Sequence, residues 1–450
     1  MHSAKLTMTK FLPLLFVACG LQGVANAQDN SPYSRYGLGD LTPNHNIFSR
    51  GMGGITAGVL DYQSINFTNP ATLGAISNTI FDIAAEADTR SLKSTNPAKK
   101  FTTTNAIFSY LQLGFPLTTP RMRKNNVNWG MSFGIRPVSS INYRIEKRER
   151  LTGIDSLHTL YEGSGGVNQA FLGTGFQFKD GYGKYVKKYS VGLNVGYMFG
   201  NKNYSTKLTF LNDSVDYYRS NTANETHFGG IFLNLGFQYE ADMKKGILRI
   251  GLYTNMQQRI NAKQDDIRET FSYDAAGNTY RVDSIYEQKD VKGVIIYPAS
   301  GGIGFTFQGK HWLYGADLVA TSWNNYRFYE KSDQLQNTWM VKAGTQYFPA
   351  NENTPAKKYF SFVKYRAGLY YGPDYIKLGS NRPIYGISVG TGMPLTSLRR
   401  LSYTGEYVML NTAVEVGNRG DKNSNLREGT MRISVGVSMN ASWFQKRKYD

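Results

Sequence analysis

The stretch Met431–Trp443, with the sequence MRISVGVSMNASW, decides the fold class. Every odd-numbered residue in it is apolar, and the residues between them are Arg432, Ser434, Gly436, Ser438, Asn440 and Ser442. A period of two predicts an extended strand with one apolar face and one polar face. Soluble strands average about 5–6 residues, so a run of this length favours a strand that crosses a bilayer.

The same alternation recurs upstream, at Ile231–Ala241 and Val191–Phe199. The polar faces carry mainly Gly, Ser, Asn and Thr, as the wet or filled interior of a membrane barrel requires. Aromatic residues gather near strand ends, for example Tyr370, Tyr371, Trp443 and Phe444, where an interfacial girdle would lie. A soluble β-sandwich also alternates, but these features together favour a transmembrane antiparallel β-barrel.

Composition supports this choice. Of the 450 residues, 41% are hydrophobic and only 19% are charged, and the mean hydropathy is −0.41. These values exclude a polytopic helical membrane protein. After the first 27 residues, the sequence has no apolar run approaching the ~18 residues of a spanning helix. A closed barrel can still cross the bilayer because it leaves no unpaired backbone group in lipid.

Counting alternating runs predicts an all-β fold with about fourteen strands, an allowed even number for a barrel formed by one chain. The predicted strands lie near 79–90, 102–116, 127–145, 157–178, 187–209, 224–241, 246–262, 284–307, 311–328, 336–348, 358–372, 384–393, 399–415 and 428–444. Several are longer than a crossing needs, which predicts that they project beyond the membrane or that some are two strands. The predicted barrel domain is 79–444, followed by a basic periplasmic tail, 445–450.

The first 27 residues have the features of a secretory signal peptide. Lys5 and Lys10 form a basic start, an apolar stretch follows, and Ala25-Asn26-Ala27 provides a small-residue cleavage site. Export and an integral position in the bacterial outer membrane are therefore expected. The only cysteine, Cys19, lies inside this segment, and lipidation at Cys19 is the alternative to its removal.

Residues 28–78 do not alternate and are rich in Gly, Asn and Pro. They form either a disordered periplasmic tether or a plug, also called a hatch, inside the barrel. Four glycines would let the backbone of a plug run close to the wall: Gly51, Gly53, Gly54 and Gly58.

Three features of this segment carry a family resemblance. Residues 50–58 read RGMGGITAG, the acidic Asp61 follows, and residues 66–73 read NFTNPATL. In this order they resemble the N-terminal hatch of the FadL/OMPP1/TodX outer-membrane family. Residues 163–168 and 365–369 also resemble that family, and residues 31–37 and 443–448 resemble its Bacteroidota-type branch.

The resemblance implies a fourteen-stranded barrel plugged by its N-terminus, which takes up hydrophobic small molecules across the outer membrane. By position, Asn69, Pro70 and Ala71 would form the hatch turn, although Asn-Pro is also an ordinary turn signal. Relatives in this branch include barrels that act in protein secretion or outer-membrane protein assembly. A non-transporting subunit of an outer-membrane complex is therefore the alternative function.

The formal net charge is +18. With both termini in the periplasm, the segments 91–101 and 146–156 are predicted to be external loops. Their cations are candidate contacts for lipopolysaccharide or a protein partner: Lys99, Lys100, Lys147, Arg148 and Arg150. The expected partners are the lipid bilayer, lipopolysaccharide, a hydrophobic ligand and other outer-membrane or periplasmic proteins, and nucleic acid is not among them.

No catalytic site, metal site or cofactor is predicted. Residues 386–390 match the string G-x-S-x-G, but that motif needs a strand-to-helix turn, and here Ser388 lies within a continuous alternating strand. The histidines after the signal segment are His45, His158, His227 and His311, and their spacing forms no metal-ligand pair.

Overall fold

The structure is a computed structural model that describes residues 31–95, 98–152, 155–181, 186–212, 215, 217–350, 358–379, 382–396, 407–420 and 426–441. The predicted signal peptide, Cys19 and the predicted tail lie outside these residues. The secondary structure is almost entirely β. The described helices are two short α-helices, α1 (Ile47–Arg50) and α2 (Pro120–Lys124), and 3-10 turns at Pro32–Arg35, Pro70–Ala75, Trp323–Asn325 and Tyr359–Phe362. None of the described helices is long and apolar enough to span a membrane.

One antiparallel sheet closes on itself through pairing of its first and last wall strands. Its strands are β1 (Asp40–Leu41), β2 (Thr79–Thr95), β3 (Ala98–Pro116), β4 (Val127–Arg150), β5 (Ser156–Asp180), β6 (Lys187–Leu211), β7 (Arg219–Met243), β8 (Gly246–Asn255), β9 (Gln258–Tyr273), β10 (Thr279–Tyr297), β11 (Ser300–Gln308), β12 (Trp312–Thr321), β13 (Arg327–Phe328), β14 (Thr338–Tyr347), β15 (Lys364–Pro373), β16 (Pro383–Pro394), β17 (Tyr407–Arg419) and β18 (Leu426–Ala441).

The predicted fourteen-strand antiparallel barrel is confirmed. Strands β8 and β9 occupy one position in the wall, because both pair with β7, and β10 and β11 together occupy the next. Among the described strands, β13 pairs with the end of β10, and β1 lies on β4. The remaining wall strands each occupy one position.

The outer surface of the wall carries the apolar residues of the alternating pattern. On β18, Met431, Ile433, Val435 and Met439 are exposed, whereas Ser434 and Ser438 between them are buried. Exposed aromatic residues form two belts, which include Tyr189, Trp312, Tyr347 and Tyr365 near one end and Tyr197, Trp339, Tyr371 and Tyr385 towards the other. An apolar band between two aromatic girdles is typical of an outer-membrane barrel.

The two ends of the barrel differ. The chain enters β2 at Thr79 and leaves β18 at Ala441, which pair with each other, and we call this end proximal. At the opposite, distal end, β4 to β7, β9 and β10 extend the sheet beyond the rest of the wall. Strand β5 alone has 25 residues, against the ~9–11 that a crossing requires.

The two segments predicted as external loops are mostly strand. Lys99 and Lys100 lie in β3, paired with β2. Lys147, Arg148 and Arg150 lie at the distal end of β4, paired with β5. The loop prediction was wrong because both faces of a projecting hairpin are exposed to solvent. Its strands therefore show no alternation of apolar and polar residues in the sequence.

The wall is incomplete between β3 and β4. These strands pair only from Leu111↔Ile135 to Pro116↔Gly130 in the described residues. Beyond that point β3 pairs with β2 alone, and the edge of β4 is taken by β1 through the pairs Asp40↔Ser140 and Leu41↔Ser139. The Thr42 amide also donates to Val138 O at 3.0 Å.

Candidate functional site

The residues between Ser31 and Asn78 form an N-terminal segment that hydrogen-bonds to inward-facing side chains of the wall. At the distal end, Lys202 Nζ and Tyr326 Oη both donate to Gly37 O, at 2.9 and 3.1 Å. The Tyr375 hydroxyl donates to Gly39 O at 2.9 Å. These contacts place the beginning of the segment near the distal mouth.

Further along the chain, the segment contacts the middle of the wall. The Gly53 amide donates to Ser388 Oγ at 2.8 Å. Asp317 accepts hydrogen bonds from the amides of Thr56 and Ala57, at 2.5 and 2.8 Å. Lys342 Nζ donates to Gly54 O at 3.1 Å. Ser388 therefore binds backbone within a continuous strand, as the sequence predicted, and does not occupy a nucleophile elbow.

The predicted hatch turn lies towards the proximal end, where Pro70–Ala75 form a 3-10 turn. Asn69 is fully buried, and its side-chain oxygen accepts from the Ala71 amide at 3.2 Å. Its side-chain nitrogen donates to Ala57 O at 2.7 Å and to Phe237 O at 3.2 Å. Asn69 thus joins the turn both to the rest of the N-terminal segment and to strand β7.

Three of the four predicted glycines lie against the wall at close range. A Cβ atom on Gly53, which has φ +69°, would come within 2.7 Å of the Leu369 backbone and 2.8 Å of Ala343 O. Gly51 approaches Gly390, and Gly58 approaches Thr306. Gly54 lies under the ring of His45. The structure therefore places Gly51, Gly53 and Gly58 against the inner wall and Gly54 against His45 of the N-terminal segment.

Asp61, the acidic residue of the motif, lies near the proximal end. Its Oδ1 atom is 3.5 Å from Lys364 Nζ on β15, and its Oδ2 atom accepts from Ser64 Oγ at 3.2 Å. Lys364 also donates to Gln63 Oε1 at 2.6 Å.

A buried ionic network, which the sequence analysis missed, joins the segment to the closure of the barrel. Asp40 lies 2.6 Å from Arg90 on β2 and 3.0 Å from Arg419 on β17. Arg419 also makes two hydrogen bonds to Asp374, at 2.7 and 2.9 Å. The network contains the acids Asp40, Glu86, Asp88, Asp374, Glu415 and Glu428 and the arginines Arg50, Arg90, Arg419 and Arg432.

The electrostatics of Asp40 follow from this geometry. Burial alone raises the pKa of its carboxyl group, but the charges of Arg90 and Arg419 outweigh burial and hold the pKa below its ordinary value. Asp40 is therefore ionised at neutral pH, and it ties the distal part of the N-terminal segment to both sides of the β18–β2 seam.

The segment and the wall enclose a chamber of about 370 Å³. One part of its lining is apolar and aromatic: Leu41, Val138, Met198, Phe232, Tyr253, Tyr297, Val319, Trp323, Met340, Tyr370 and Tyr375. Another part is charged: Asp40, Arg90, Arg136, Lys342, Glu415, Arg419, Glu428 and Arg432. Leu41 lines the chamber and belongs to β1, so β1 separates the chamber from the gap between β3 and β4.

The predicted cationic contacts lie at the distal end and are not among the residues that line the chamber. Lys147 Nζ is 2.5 Å from Glu149, and the side chains of both residues are largely in solvent. Arg148, Lys99 and Lys100 are exposed. His158 is 3.6 Å from Glu146. No group of three or more metal-ligating residues occurs within the described ranges.

The comparisons with known proteins first define a class. The fold matches that of CymD, a monoaromatic hydrocarbon channel, with a TM-score of 0.50 and 12% identity over 91% of this chain and 100% of that one. It also matches the toluene transporter TodX of Pseudomonas putida, with a TM-score of 0.51 and 15% identity over 90% of this chain and 99% of that one. The toluene transporter TbuX of Ralstonia pickettii matches with a TM-score of 0.50 and 11% identity over 89% of this chain and 99% of that one. The fold is that of a TodX-like β-barrel.

The family is narrower than the class. The BamG family model matches residues 8–450, and the chain belongs to the BamG family. No curated protein matches the sequence.

Proposed function

We propose that this protein is an outer-membrane barrel that takes up small hydrophobic molecules through its lumen. The observation that carries the proposal is the chamber of about 370 Å³ with aromatic walls, which lies behind the gap between β3 and β4. Ligand pockets of roughly 300–1,000 Å³ with mainly apolar linings are common in small-molecule sites. CymD, TodX and TbuX, which share the fold, are described as a hydrocarbon channel and toluene transporters.

In this proposal the N-terminal segment is a plug. Its hydrogen bonds to β6, β7, β11, β12, β14 and β16 support that role, as does the position of β1 in the wall gap. The movable part would pivot on the hatch residues Asn69, Pro70 and Ala71 and on the glycines that lie against the wall. Passage would require β1 to leave the edge of β4.

Uptake of toluene into proteoliposomes tests the proposal. We expect uptake above that of protein-free liposomes, and slower uptake when the chamber is narrowed by Val319→Trp on the apolar side. Because a lumen variant can alter folding, Ile433→Trp on the lipid-facing surface serves as the matched control. Folding of the barrel is checked by the shift in its electrophoretic mobility on heating. If a folded barrel gives no more uptake than empty liposomes, transport is overturned.

A second function is a structural one, as a subunit of an outer-membrane complex for protein secretion or outer-membrane protein assembly. Two observations favour it. The ionic network between Asp40 and the β18–β2 seam fixes the distal part of the segment. The projecting strands also present exposed cations, Lys147, Arg148, Lys99 and Lys100, well beyond the apolar band.

Purification from native outer membranes in mild detergent tests the second function. We expect a stoichiometric partner to be retained by the wild type and lost from the triple variant Lys147→Glu, Arg148→Glu, Arg150→Glu. The control variant is Arg121→Glu, Arg123→Glu, Lys124→Glu, which reverses three charges at the proximal end. Equal loss in both variants, or a monomer in every sample, would contradict this function. The same purification shows whether lipopolysaccharide copurifies with the wild type and is lost from the variant without the distal cations.

The position in the cell follows from the fold class. We propose that residues 1–27 are removed on export, that the proximal end faces the periplasm and that the chain belongs to the Bacteroidota-type branch. Signal-like residues at the start and the branch-like segments 31–37 and 443–448 support these points. Sequencing of the mature N-terminus, expected at Gln28, tests the cleavage, and a lipid-modified Cys19 would overturn it.

A further inference from the structure

Arg136 is a buried cation without a carboxylate partner among the described residues. It lies on β4 and faces the chamber. Its Nη2 atom donates to Gln169 Oε1 at 2.8 Å, and its guanidinium group lies 5.1 Å from the centre of the Phe67 ring. The arginines of the ionic network, in contrast, each meet a carboxylate. A buried charge that is not compensated costs roughly several kcal/mol in folding free energy. Arg136 therefore requires a counter-ion or water.

His45, on the N-terminal segment, also lines the chamber and also lacks partners. Both of its ring nitrogens are buried, and neither has a hydrogen-bond partner in the described structure. Burial, and then the charges of Lys342, Arg50, Arg432 and Arg136, lower the pKa of His45 well below its ordinary value. The charges that act most strongly on this ring are therefore those of cations.

The chamber has the size and charge to hold an anion. Its volume of about 370 Å³ far exceeds the ~30 Å³ share of one liquid water. Arginine and lysine outnumber aspartate and glutamate by five to three in its lining, and the three acids are all engaged by Arg90, Arg419 or Arg432. An oxyanion accepts hydrogen bonds from both a guanidinium fork and an imidazole N–H group, and such charge-assisted bonds are the strong ones.

We propose that the chamber holds an oxyanion between Arg136 and His45. Its oxygens accept from the free N–H groups of Arg136 on the wall and from an imidazole N–H group of His45 on the N-terminal segment. The anion then acts as a resident counter-ion that joins the segment to β4. This role does not depend on whether the barrel conducts hydrophobic molecules.

Selenate, an analogue of sulfate with a strong anomalous signal, tests the site. Crystals of the whole protein soaked in selenate should show an anomalous peak between Arg136 and His45. The peak should disappear in Arg136→Gln and in His45→Phe, which keeps the shape of the ring. The exposed-site control Arg148→Gln should retain it. An empty or water-filled chamber in the wild type, or a peak that persists in both site variants as an adventitious ion only, would overturn the proposal.

The natural source of the anion can be identified in the same protein. Ion chromatography of anions released by denaturation should recover inorganic phosphate, sulfate or a small organic acid at about one equivalent per wild-type chain. We expect Arg136→Gln to lose that equivalent and Arg148→Gln to keep it. Recovery of an inorganic ion identifies a structural counter-ion, and recovery of an organic acid identifies a metabolite as its source. Equal amounts in wild type and Arg136→Gln would contradict a specific site.

Discussion

The Nη1 atom of Arg90 lies 2.6 Å from Oδ2 of Asp40, and this ion pair joins the first wall strand to the N-terminal segment. Asp40 also reaches Arg419 at 3.0 Å, so one carboxylate bridges strands on both sides of the barrel's closing seam. The side chains of all three residues are largely or fully buried. The segment is therefore held by ion pairs and hydrogen bonds at its distal end, and mainly by hydrogen bonds to its backbone further along.

Asp40→Asn should release the distal part of the segment. Removing one partner of a buried ion pair typically costs about 3–5 kcal/mol, because the other charge remains buried. We expect faster hydrogen exchange in residues 31–42 and unchanged exchange in the wall. Asp290→Asn, which removes an exposed pair with Lys263, is the control and should leave these residues protected. Equal protection of residues 31–42 in Asp40→Asn and wild type would refute the role of this pair.

The same pair predicts a pH dependence. Because the pKa of folded Asp40 is lowered, its contribution is fully present above the unfolded pKa of about 3.9 and is lost only as the pH falls through the folded value. Exchange in residues 31–42, corrected for intrinsic rates, should therefore be the same at pH 7 and pH 5. Loss of protection by pH 5 would contradict Asp40 as the group that sets the pH dependence of the segment.

Asp317 predicts a separate effect further along the segment. Its Oδ2 atom accepts from the backbone amides of Thr56 and Ala57. Asp317→Ala leaves both amides unpaired, and each bond to a charged acceptor contributes about 1.5–3 kcal/mol. We expect faster exchange of these two amides, with residues 31–42 little changed. Asp317→Asn keeps an acceptor oxygen, so it should speed the exchange of these amides less than Asp317→Ala does. Equal exchange rates in both variants would argue against the hydrogen bonds.

Gly53→Ala should prevent the segment from seating against β14 and β15. The positive φ of Gly53 costs a residue with a side chain about 1–2 kcal/mol, and the added Cβ would also overlap the Leu369 backbone. Gly277→Ala separates the two effects, because Gly277 has φ +84° and no atom within 4 Å of the added Cβ. Thermal unfolding should show a larger loss for Gly53→Ala. Equal losses would mean that close contact with the wall contributes nothing.

The sequence predicted the barrel well because alternation records which side of the wall each residue faces. Ser434 and Ser438 are buried and their apolar neighbours on β18 are exposed, as the pattern in Met431–Trp443 requires. The resemblance also located Asn69 and Gly53, which lie where the segment meets the wall. Both conclusions depend on local sequence only.

The ionic network could not be predicted in the same way. Asp88 and Arg90 stand on the inward face of β2, and their alternation was a usable signal that charges enter the lumen. Their partners, Asp40, Glu428 and Arg432, come from distant parts of the chain and meet them only after the register and closure of the barrel are fixed. The sequence analysis allowed that some long predicted strands are two strands, but it did not locate the divisions between β8 and β9 and between β10 and β11, although Pro298 marks the second one.

The measurement that tests uptake through a moving plug most directly is a reversible disulfide between β1 and β4. Leu41 and Ser139 are directly paired across these strands, and the described residues contain no native cysteine. In Leu41→Cys, Ser139→Cys, oxidation should lower toluene uptake into proteoliposomes to that of protein-free liposomes, and reduction should restore it. The single variant Leu41→Cys should not respond. Equal uptake in the oxidised and reduced double variant would contradict the account, because β1 would then not need to leave the gap.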